Sequence, residues 1–170
     1  VVEAGDTLFT CQELDSIYLA PGTPDSPGVW SWSGSFVVNV APDSFFFLPN
    51  QAGVGPHPIF YTYTDSNGCV NLDSAIVLVN PTPMVDAGLD TTYCLVADTQ
   101  QLPLPDPLGG RWLGNGVVDD SAGLFLPTLA GLGSHTIFYS YADGNGCTAT
   151  DSLVVTVIEL DSVSAGPDTM

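Results

Sequence analysis

The sequence predicts an all-β protein made of antiparallel β-sandwich modules in tandem, with about seven strands in each module. Three observations lead to this prediction. Short segments rich in Val, Ile, Tyr, Phe and Thr alternate with clusters of turn residues. The 18 glycines and 14 prolines among 170 residues make turns frequent and long helices improbable. Blocks of sequence also recur in the same order, with a period close to 80 residues.

The recurring blocks define the domain organisation. Residues 2–5 return as 85–88 and Cys11 as Cys94, 83 positions later. Residues 59–63 return as 137–141 and 67–69 as 145–147, 78 positions later, and residues 163–169 restate 85–91. We therefore expect modules at 1–82 and 83–160, with a third beginning at 161–170. The proline-flanked segment 81–83 is a stiff joint between the first two.

The strands follow from β-branched and aromatic runs bounded by Gly, Pro, Asn and Asp. After an opening Val-rich strand, the first module is predicted to have strands at 16–19, 29–33, 36–40, 44–48, 59–64 and 75–79. The second is predicted to have them at 100–104, 111–113, 124–126, 136–141 and 153–158. Asn-Gly at 67–68 and 145–146 closes the last hairpin of each module, because this pair readily adopts positive φ angles.

Each module contains two cysteines, and four cysteines allow three pairings. If every module closes independently, the pairs are Cys11–Cys69 and Cys94–Cys147. In the chain-entropy model, each such loop contributes about 4 kcal/mol of stabilisation. Disulfides indicate an oxidising compartment outside the cytosol. Zinc binding is the alternative, but the close Cys-x₂-Cys spacing of zinc sites is missing.

The charge distribution excludes several classes of protein. The formal net charge is −18, lysine is absent, and Arg111 is the only cation. Binding to nucleic acids or anionic membranes requires clustered Lys and Arg, so neither is expected. No apolar run approaches the ~18 residues of a membrane span, and no signal peptide opens the chain, so no membrane insertion is expected.

Three stretches of the second module together resemble a known repeat. They are residues 109–116 (GGRWLGNG), 124–133 (LFLPTLAGLG) and 139–147 (YSYADGNGC), and the first module carries the same blocks more loosely. The combination is similar to the PKD-like/Ig-like repeat of large surface adhesins that gliding and filamentous marine bacteria export by type 9 secretion. The resemblance implies an Ig-like sandwich and an extracellular location, at the cell surface or on a secreted appendage. The Trp-Asp-Phe-Gly-Asp-Gly motif of true PKD domains is absent.

Catalysis is not expected, although two histidines are present. His57 and His135 occupy equivalent positions in the two repeats, with no nucleophile elbow nearby, so they belong to the module itself. No cofactor is expected, but calcium is possible at turn tips and near a module joint. The candidate ligands are Asp65, Asn67, Asp143, Asn145, Asp86 and Asp90. The alternative is that these Asp and Asn residues simply form turns.

The aromatic residues suggest both a core and an interface. The tryptophan shared by both modules is expected in the core, as in Ig-like sandwiches, with Trp30 and Trp32 on one strand face. If Trp30, Trp32 and Trp112 were exposed instead, a carbohydrate-binding module would be the alternative. Strand alternation turns Phe60 and Phe138 outward, which predicts lateral packing into a homo-oligomer or fibre.

The pattern of aspartates suggests modification. Twelve of the 16 aspartates precede Ser or Thr, where chance gives about three. Eight of these pairs continue with Ala, Ile, Leu, Met, Thr or Val, which resembles the Asp-Ser/Thr-apolar acceptor motif of O-glycosylation in the same bacterial group. The alternative is that Asp-Ser and Asp-Thr pairs cap turns. The predicted acceptors are Thr7, Ser16, Ser74, Thr91, Ser121, Ser152, Ser162 and Thr169.

These observations predict a non-enzymatic structural repeat that forms the stalk or shaft of an extracellular adhesin or filamentous appendage. Its expected partners are neighbouring modules of the same chain and further copies of the protein. The alternative is a β-sandwich module that binds carbohydrate or a surface.

Overall fold

The computed structural model describes residues 1–25 and 27–159. The predicted start of a third module at 161–170, with the acceptors Ser162 and Thr169, lies outside this range. The chain divides into two compact units. The first contains Val1–Pro83 together with Asp143–Thr148, and the second contains Met84–Ala142 and the chain from Ala149. No helix among the described residues is both long enough and apolar enough to cross a membrane.

The first repeat folds into two sheets. Its strands are β1 (Leu8–Cys11), β2 (Ile17–Leu19), β3 (Gly28–Ser33), β4 (Val37–Ala41), β5 (Ser44–Phe47), β6 (Gly55–Asp65) and β7 (Val70–Asn80), and the short helix α1 is Pro49–Ala52. One sheet has the order β1-β7-β6-β3 and the other β2-β5-β4. The β6–β7 hairpin forms the centre of the first sheet, with antiparallel pairs from Gly55↔Val79 to Thr64↔Val70.

The second repeat has the same arrangement. Its strands are β8 (Thr91–Cys94), β9 (Gln100–Gln101), β10 (Arg111–Leu113), β11 (Val117–Asp119), β12 (Leu124–Phe125), β13 (Gly133–Ala142) and β14 (Thr148–Ile158), and α2 is Pro127–Ala130. The sheet orders are β8-β14-β13-β10 and β9-β12-β11, which repeat those of the first half strand for strand. The prediction of two β-sandwiches with seven strands each is confirmed over the described residues.

The core of each repeat lies between its two sheets. In the first, Phe47 and Leu19 of the smaller sheet meet Ile59, Tyr61 and Val77 of the larger one, all with exposures of 0%. In the second, Phe125 meets the equivalent Ile137, Tyr139 and Val155. Alternation along the long strands explains this burial, because every second side chain faces the opposite sheet.

The opening strand differs from the prediction. The Val-rich segment 1–4 forms only an isolated bridge, Glu3↔Thr23, and the first strand begins at Leu8. The break follows Gly5, whose φ of +91° is a conformation that favours glycine, and Gly88 takes the same turn at +89°. Beyond this turn β1 pairs with β7 in parallel, from Leu8↔Val77 to Cys11↔Asn80. In the same way β8 pairs with β14, up to Cys94↔Ile158.

Candidate functional site

The cysteine pairing differs from the prediction. The single disulfide among the described residues joins Cys11 to Cys147, with the two Cα atoms 5.4 Å apart, inside the first compact unit. Cys69 and Cys94 are free and exposed. The predicted pairs Cys11–Cys69 and Cys94–Cys147 are therefore wrong. The assumption that each module closes on itself does not hold.

The parallel edge strand explains why the predicted pairs cannot form. Cys11 pairs with Asn80 at the end of β7, whereas Cys69 lies in the turn immediately before β7 begins at Val70. At about 3.3 Å per residue, the 11 residues of β7 separate these cysteines by roughly 35 Å. A disulfide requires Cα atoms about 4.4–6.8 Å apart. The same holds for Cys94, opposite Ile158, and Cys147, just before β14.

A carboxylate beside the disulfide was missed by sequence reasoning. Glu13 accepts a hydrogen bond from the backbone N–H of Thr148 at 2.7 Å and one from the Thr82 hydroxyl at 3.3 Å. It therefore holds the residue that follows Cys147. The equivalent position in the second repeat, 83 residues later, is Val96, so the repeat gave no signal for this contact.

The same residues form the one cluster of possible metal ligands among residues 1–25 and 27–159. Ligand atoms of Cys11, Glu13 and Cys147 lie within 4.8 Å of one another. Both sulfurs are already bonded in the disulfide, so no thiolate is left to bind a metal ion. This cluster is a covalent link rather than a metal centre.

The predicted calcium ligands at the turn tips accept hydrogen bonds from the backbone of those turns. Asp65 accepts hydrogen bonds from the N–H groups of Asn67 and Cys69 at 2.8 and 2.9 Å, and Asp143 accepts the equivalent pair from Asn145 and Cys147. These bonds lower the pKa of Asp65 below its usual range, chiefly through the Cys69 N–H.

The candidates near the module joint make similar bonds. Asp86 accepts from the N–H of Gly88, and Asp90 accepts from that of Val154, both at 2.8 Å. All four carboxylates have turn or strand partners. This arrangement favours the turn-forming alternative for these positions.

The histidines hold the short helices. His57 donates from Nε2 to the Gly53 carbonyl at 2.8 Å, and His135 donates to the Gly131 carbonyl at 2.9 Å. Both glycines follow directly after α1 and α2, respectively. The equivalent bonds give both histidines a structural role in their own repeats, as the repeat predicted.

The shared tryptophan lies in the core, which confirms that prediction. Trp32 and Trp112 are 5% and 4% exposed, and each packs against the equivalent tyrosine, Tyr61 or Tyr139, at ring-centroid distances of 5.1 and 4.9 Å. Trp30 is half-buried against Phe45. All three tryptophans thus serve packing, which removes the observation that suggested carbohydrate binding.

Phe60 and Phe138 point outward as predicted. Their exposures are 37% and 44%, whereas the neighbouring Ile59 and Ile137 are fully buried. Phe60 lies opposite Ser74 on β7 and Ser33 on β3. The strand register places further exposed apolar side chains on this same surface, which we call the outer face of the first repeat: Phe9, Val29, Val70, Leu72 and Ile76.

The outer face of the second repeat is more polar. At positions 78 residues later, Pro58, Leu72 and Leu78 are replaced by threonines, and Pro56 by a serine. Arg111 also lies on this sheet, where it forms an exposed ion pair with Asp120 at 2.8 Å. The strand positions of the first outer face carry no charged residue. The sequence repeat alone did not reveal this asymmetry between the two repeats.

The predicted glycosylation sites are accessible. Of the acceptors in the described range, Thr7, Ser16, Ser74, Ser121 and Ser152 are exposed, and Thr91 is half-buried. The Ser121 hydroxyl donates to Asp119 at 2.8 Å, as expected for a turn. Their modification stays a prediction.

An open cleft of about 280 Å³ in the second repeat is lined mainly by apolar residues, including Leu102, Pro103, Leu108 and Trp112. Its hydroxyl groups already have partners, because Tyr139 donates to the Pro107 carbonyl and Ser121 to Asp119. Among the described residues that line this cleft, there is no acid–base pair or activated nucleophile.

No protein-family model matches the chain, and no curated protein matches it. Solved structures do match. The fibronectin(III)-like modules of Clostridium thermocellum CbhA are 15% identical over 98% of this chain and 99% of theirs, with a TM-score of 0.41. The insect immune protein hemolin is 8% identical over 92% of this chain and 46% of its own, with a TM-score of 0.41.

The N-terminal Ig1-2 module of the Drosophila receptor protein tyrosine phosphatase DLAR is 14% identical over 90% of this chain and 95% of its own, with a TM-score of 0.32. At these identities and scores, the likeness carries no information about activity or partners. The assignment of two Ig-like sandwiches therefore rests on the sheets described above.

A repeated carboxylate fixes the start of each repeat. Asp73 accepts the backbone N–H of Ala4 at 2.7 Å, and Asp151 accepts that of Ala87 at 2.9 Å. These hydrogen bonds lower the pKa of both carboxyls, with the Ala4 and Ala87 N–H groups as the largest causes. A folded-state pKa below the unfolded value stabilises the fold at neutral pH. That contribution is lost as the pH falls through the lowered pKa.

We therefore predict that the double variant Asp73→Asn/Asp151→Asn unfolds at a lower temperature than the wild type at pH 7. Its melting temperature should fall less steeply between about pH 5 and pH 2, because the two depressed carboxyls no longer titrate. Thermal unfolding followed by circular dichroism over this pH range measures both effects. The double variant Asp6→Asn/Asp98→Asn, at two exposed positions, is the matched control, because it removes the same number of negative charges. Equal pH slopes in the Asp73→Asn/Asp151→Asn variant and the wild type would contradict the assignment.

Proposed function

We propose that this chain is a stretch of a non-enzymatic structural array, in which residues 1–82 and 83–160 are successive modules. The observation that supports this most strongly is that four pairs of polar side chains shared by both repeats are engaged in holding the module together. His57 and His135 hold the short helices, and Tyr61 and Tyr139 donate to the Pro24 and Pro107 carbonyls at 2.9 and 2.8 Å.

The shared aspartates are engaged in the same way, at the last hairpin turn and at the start of each repeat. A repeated catalytic or binding site would instead leave a shared polar group facing solvent or a cleft. The shared residues thus support a unit that is repeated for its fold.

We infer an extracellular location, at a bacterial cell surface or on a secreted appendage. The Cys11–Cys147 disulfide supports an oxidising compartment. The resemblance to repeats of type 9-secreted adhesins supports the finer assignment as a stalk or shaft. A net charge of −18 with a single cation suits a protein that has to stay dissolved in salty water.

The outer face of the first repeat is proposed to pack against a second copy of the protein. It presents Phe60, Leu72 and Ile76 beside other exposed apolar side chains. Contiguous exposed apolar surface of this kind is typical of an interface. The face bears no charge on its strands, so the repulsion between acidic copies acts from elsewhere on the molecule and is screened by salt. Association should therefore strengthen as the salt concentration rises.

We predict that Phe60→Ser weakens this self-association by about tenfold, because a symmetric dimer loses two phenylalanines and about 1–2 kcal/mol of apolar burial. Sedimentation equilibrium over a range of protein and salt concentrations measures the dissociation constant. The experiment uses a Cys69→Ser/Cys94→Ser background, so that only non-covalent contacts are measured.

Tyr18→Ser is the matched control for this experiment. Tyr18 is 53% exposed but lies on the smaller sheet of the same repeat, so its loss should leave the dissociation constant unchanged. A wild-type protein that stays monomeric at high concentration and high salt would reject lateral packing through this face.

O-glycosylation of the exposed Asp-Ser and Asp-Thr hydroxyls is proposed as a second property of the array. One of these sites conflicts directly with lateral packing, because Ser74 lies opposite Phe60 on the outer face. A bulky glycan there would cover the phenylalanine. The two proposals are therefore compatible only if Ser74 is unmodified, whereas Thr7, Ser16 and Ser121 are free of this restriction.

We predict that protein from its native source is heavier than the unmodified mass of 17.7 kDa per such segment by increments of sugar size. Intact-mass measurement followed by site mapping of glycopeptides tests this. The increments should map to the predicted hydroxyls and be absent from Ser66 and Thr99, which follow an aspartate but precede Asn and Gln. An unmodified mass, or sugars found equally at Ser66 and Thr99, would reject the motif.

A further inference from the structure

We propose that Cys69 and Cys94 form disulfides with the complementary cysteines of further copies of this repeat, so that successive repeats are linked covalently. We call Cys11 and Cys94 the strand cysteines, and Cys69 and Cys147 the turn cysteines. Each bond joins a strand cysteine to the turn cysteine of another repeat. The inference rests on the proposed function, because it requires repeats in an array.

The two strand cysteines have equivalent surroundings. Cys11 ends β1 opposite Asn80, and Cys94 ends β8 opposite Ile158. The parallel ladder also continues one residue further in both repeats. The N–H of Gln12 donates to the Asn80 carbonyl at 2.9 Å, and that of Leu95 donates to the Ile158 carbonyl at 2.8 Å. The backbone therefore presents both cysteines in the same way.

The two turn cysteines are held equally alike. The Cys69 N–H donates to Asp65 Oδ1 at 2.9 Å, and the Cys147 N–H donates to Asp143 Oδ1 at 2.9 Å. Gly68 and Gly146 both have φ of +83° directly before the cysteine. The turn that positions the bonded Cys147 is thus already formed around the free Cys69.

Among residues 1–25 and 27–159, neither free cysteine has a partner within its own repeat. The strand and turn cysteines lie at opposite ends of the long hairpin, roughly 35 Å apart along β7 or β14. Cys69 and Cys94 are both exposed, whereas the bonded Cys11 and Cys147 are 8% and 0% exposed. For each exposed thiol, the equivalent cysteine of the other repeat is bonded and buried. The exposed thiol therefore lacks a partner of the same kind as the one that its equivalent cysteine has.

The Cys11–Cys147 bond identifies that partner. It joins the strand cysteine of one repeat to the turn cysteine of the next repeat in the sequence. By the same rule, Cys94 bonds a turn cysteine and Cys69 bonds a strand cysteine. Because the rule joins unlike ends, the same bond can recur along an array in which every repeat has the same orientation.

Forming each bond is a two-electron oxidation. Two thiols lose two protons and two electrons to a small-molecule disulfide such as oxidised glutathione, which is reduced to two thiols. The thiolate of one cysteine attacks the glutathione disulfide and releases one glutathione. The thiolate of the second cysteine then attacks the resulting mixed disulfide and releases the other.

Complementary single variants of the whole chain test the rule. Cys69→Ser retains only the free strand cysteine, and Cys94→Ser retains only the free turn cysteine. Each is incubated in a glutathione redox buffer at high protein concentration, alone and as an equimolar mixture. Non-reducing electrophoresis, intact mass and peptide mapping identify the products. The Cys69→Ser/Cys94→Ser double variant is the control for background cross-linking.

We expect each single variant alone to remain a monomer, and the mixture to form a species of twice the 17.7 kDa chain mass. Peptide mapping should find Cys94 of one copy bonded to Cys69 of the other, and wild-type protein should form a ladder of larger species that a reductant collapses. Homodimers in the single variants as abundant as the mixed dimer would overturn the rule. A mixture without cross-links, although both thiols react with glutathione, would overturn it as well.

Disulfide mapping of protein from its native source provides a second readout that does not depend on association in dilute solution. Cys94 should be bonded to a cysteine that follows Asn-Gly, and free thiols should be absent at both positions. Free Cys69 and Cys94 in native material would reject the inference. Lateral packing through Phe60 would be unaffected by that result, because its test uses the variant without these two thiols.

Discussion

The parallel pairing of the first strand with the last strand of each repeat determines the covalent structure of this protein. It places the strand cysteine beside Asn80 or Ile158, at the far end of the long hairpin from the turn cysteine. An antiparallel first strand would run the other way and could bring both cysteines to one end. Each repeat therefore has one cysteine at each end of its long hairpin. These two cysteines are too far apart to bond to each other, so a disulfide needs a cysteine from another repeat.

This arrangement changes how stability is distributed. A module of ~80 residues has a thin core and gains from a covalent link. A disulfide inside the module would stabilise that module alone. The bond between Cys11 and Cys147 instead spans 136 positions of sequence and ties the turn Asp143–Thr148 into the first compact unit. In an array held by such bonds, cutting the chain within one repeat would leave the neighbouring repeats attached.

The periodicity of two along the strands predicted the core well. It placed Ile59, Tyr61 and Tyr63 inside and Phe60 outside, and the shared tryptophan in the core, because one buried face strictly fixes which residues alternate inward. The Asn-Gly turns were equally predictable, because a tight hairpin demands a positive φ angle, which Gly68 and Gly146 adopt. Short strands such as β8 and β11 were missed, because three or four residues carry too little pattern.

The cysteine pairing could not be predicted from the repeat. Equivalence between modules shows which cysteines correspond, but it does not distinguish a bond inside each module from a bond between successive modules. The direction of the edge strand decides between the two, and four residues of Leu8–Cys11 say nothing about parallel or antiparallel pairing. The hydrogen bond to Glu13 could not be predicted for a related reason, since its partner Thr148 lies 135 residues away in sequence.

Disulfide mapping of the oxidised chain by mass spectrometry tests the central claim most directly. Because the chain has no lysine and one arginine, cleavage at aspartate and glutamate is the practical choice for generating peptides. The account predicts one linked pair within the chain, containing Cys11 and Cys147, with Cys69 and Cys94 linked to each other between copies or recovered as adducts of the redox buffer. Linked peptides joining Cys11 to Cys69 and Cys94 to Cys147 would contradict it, because they would require each repeat to close on itself.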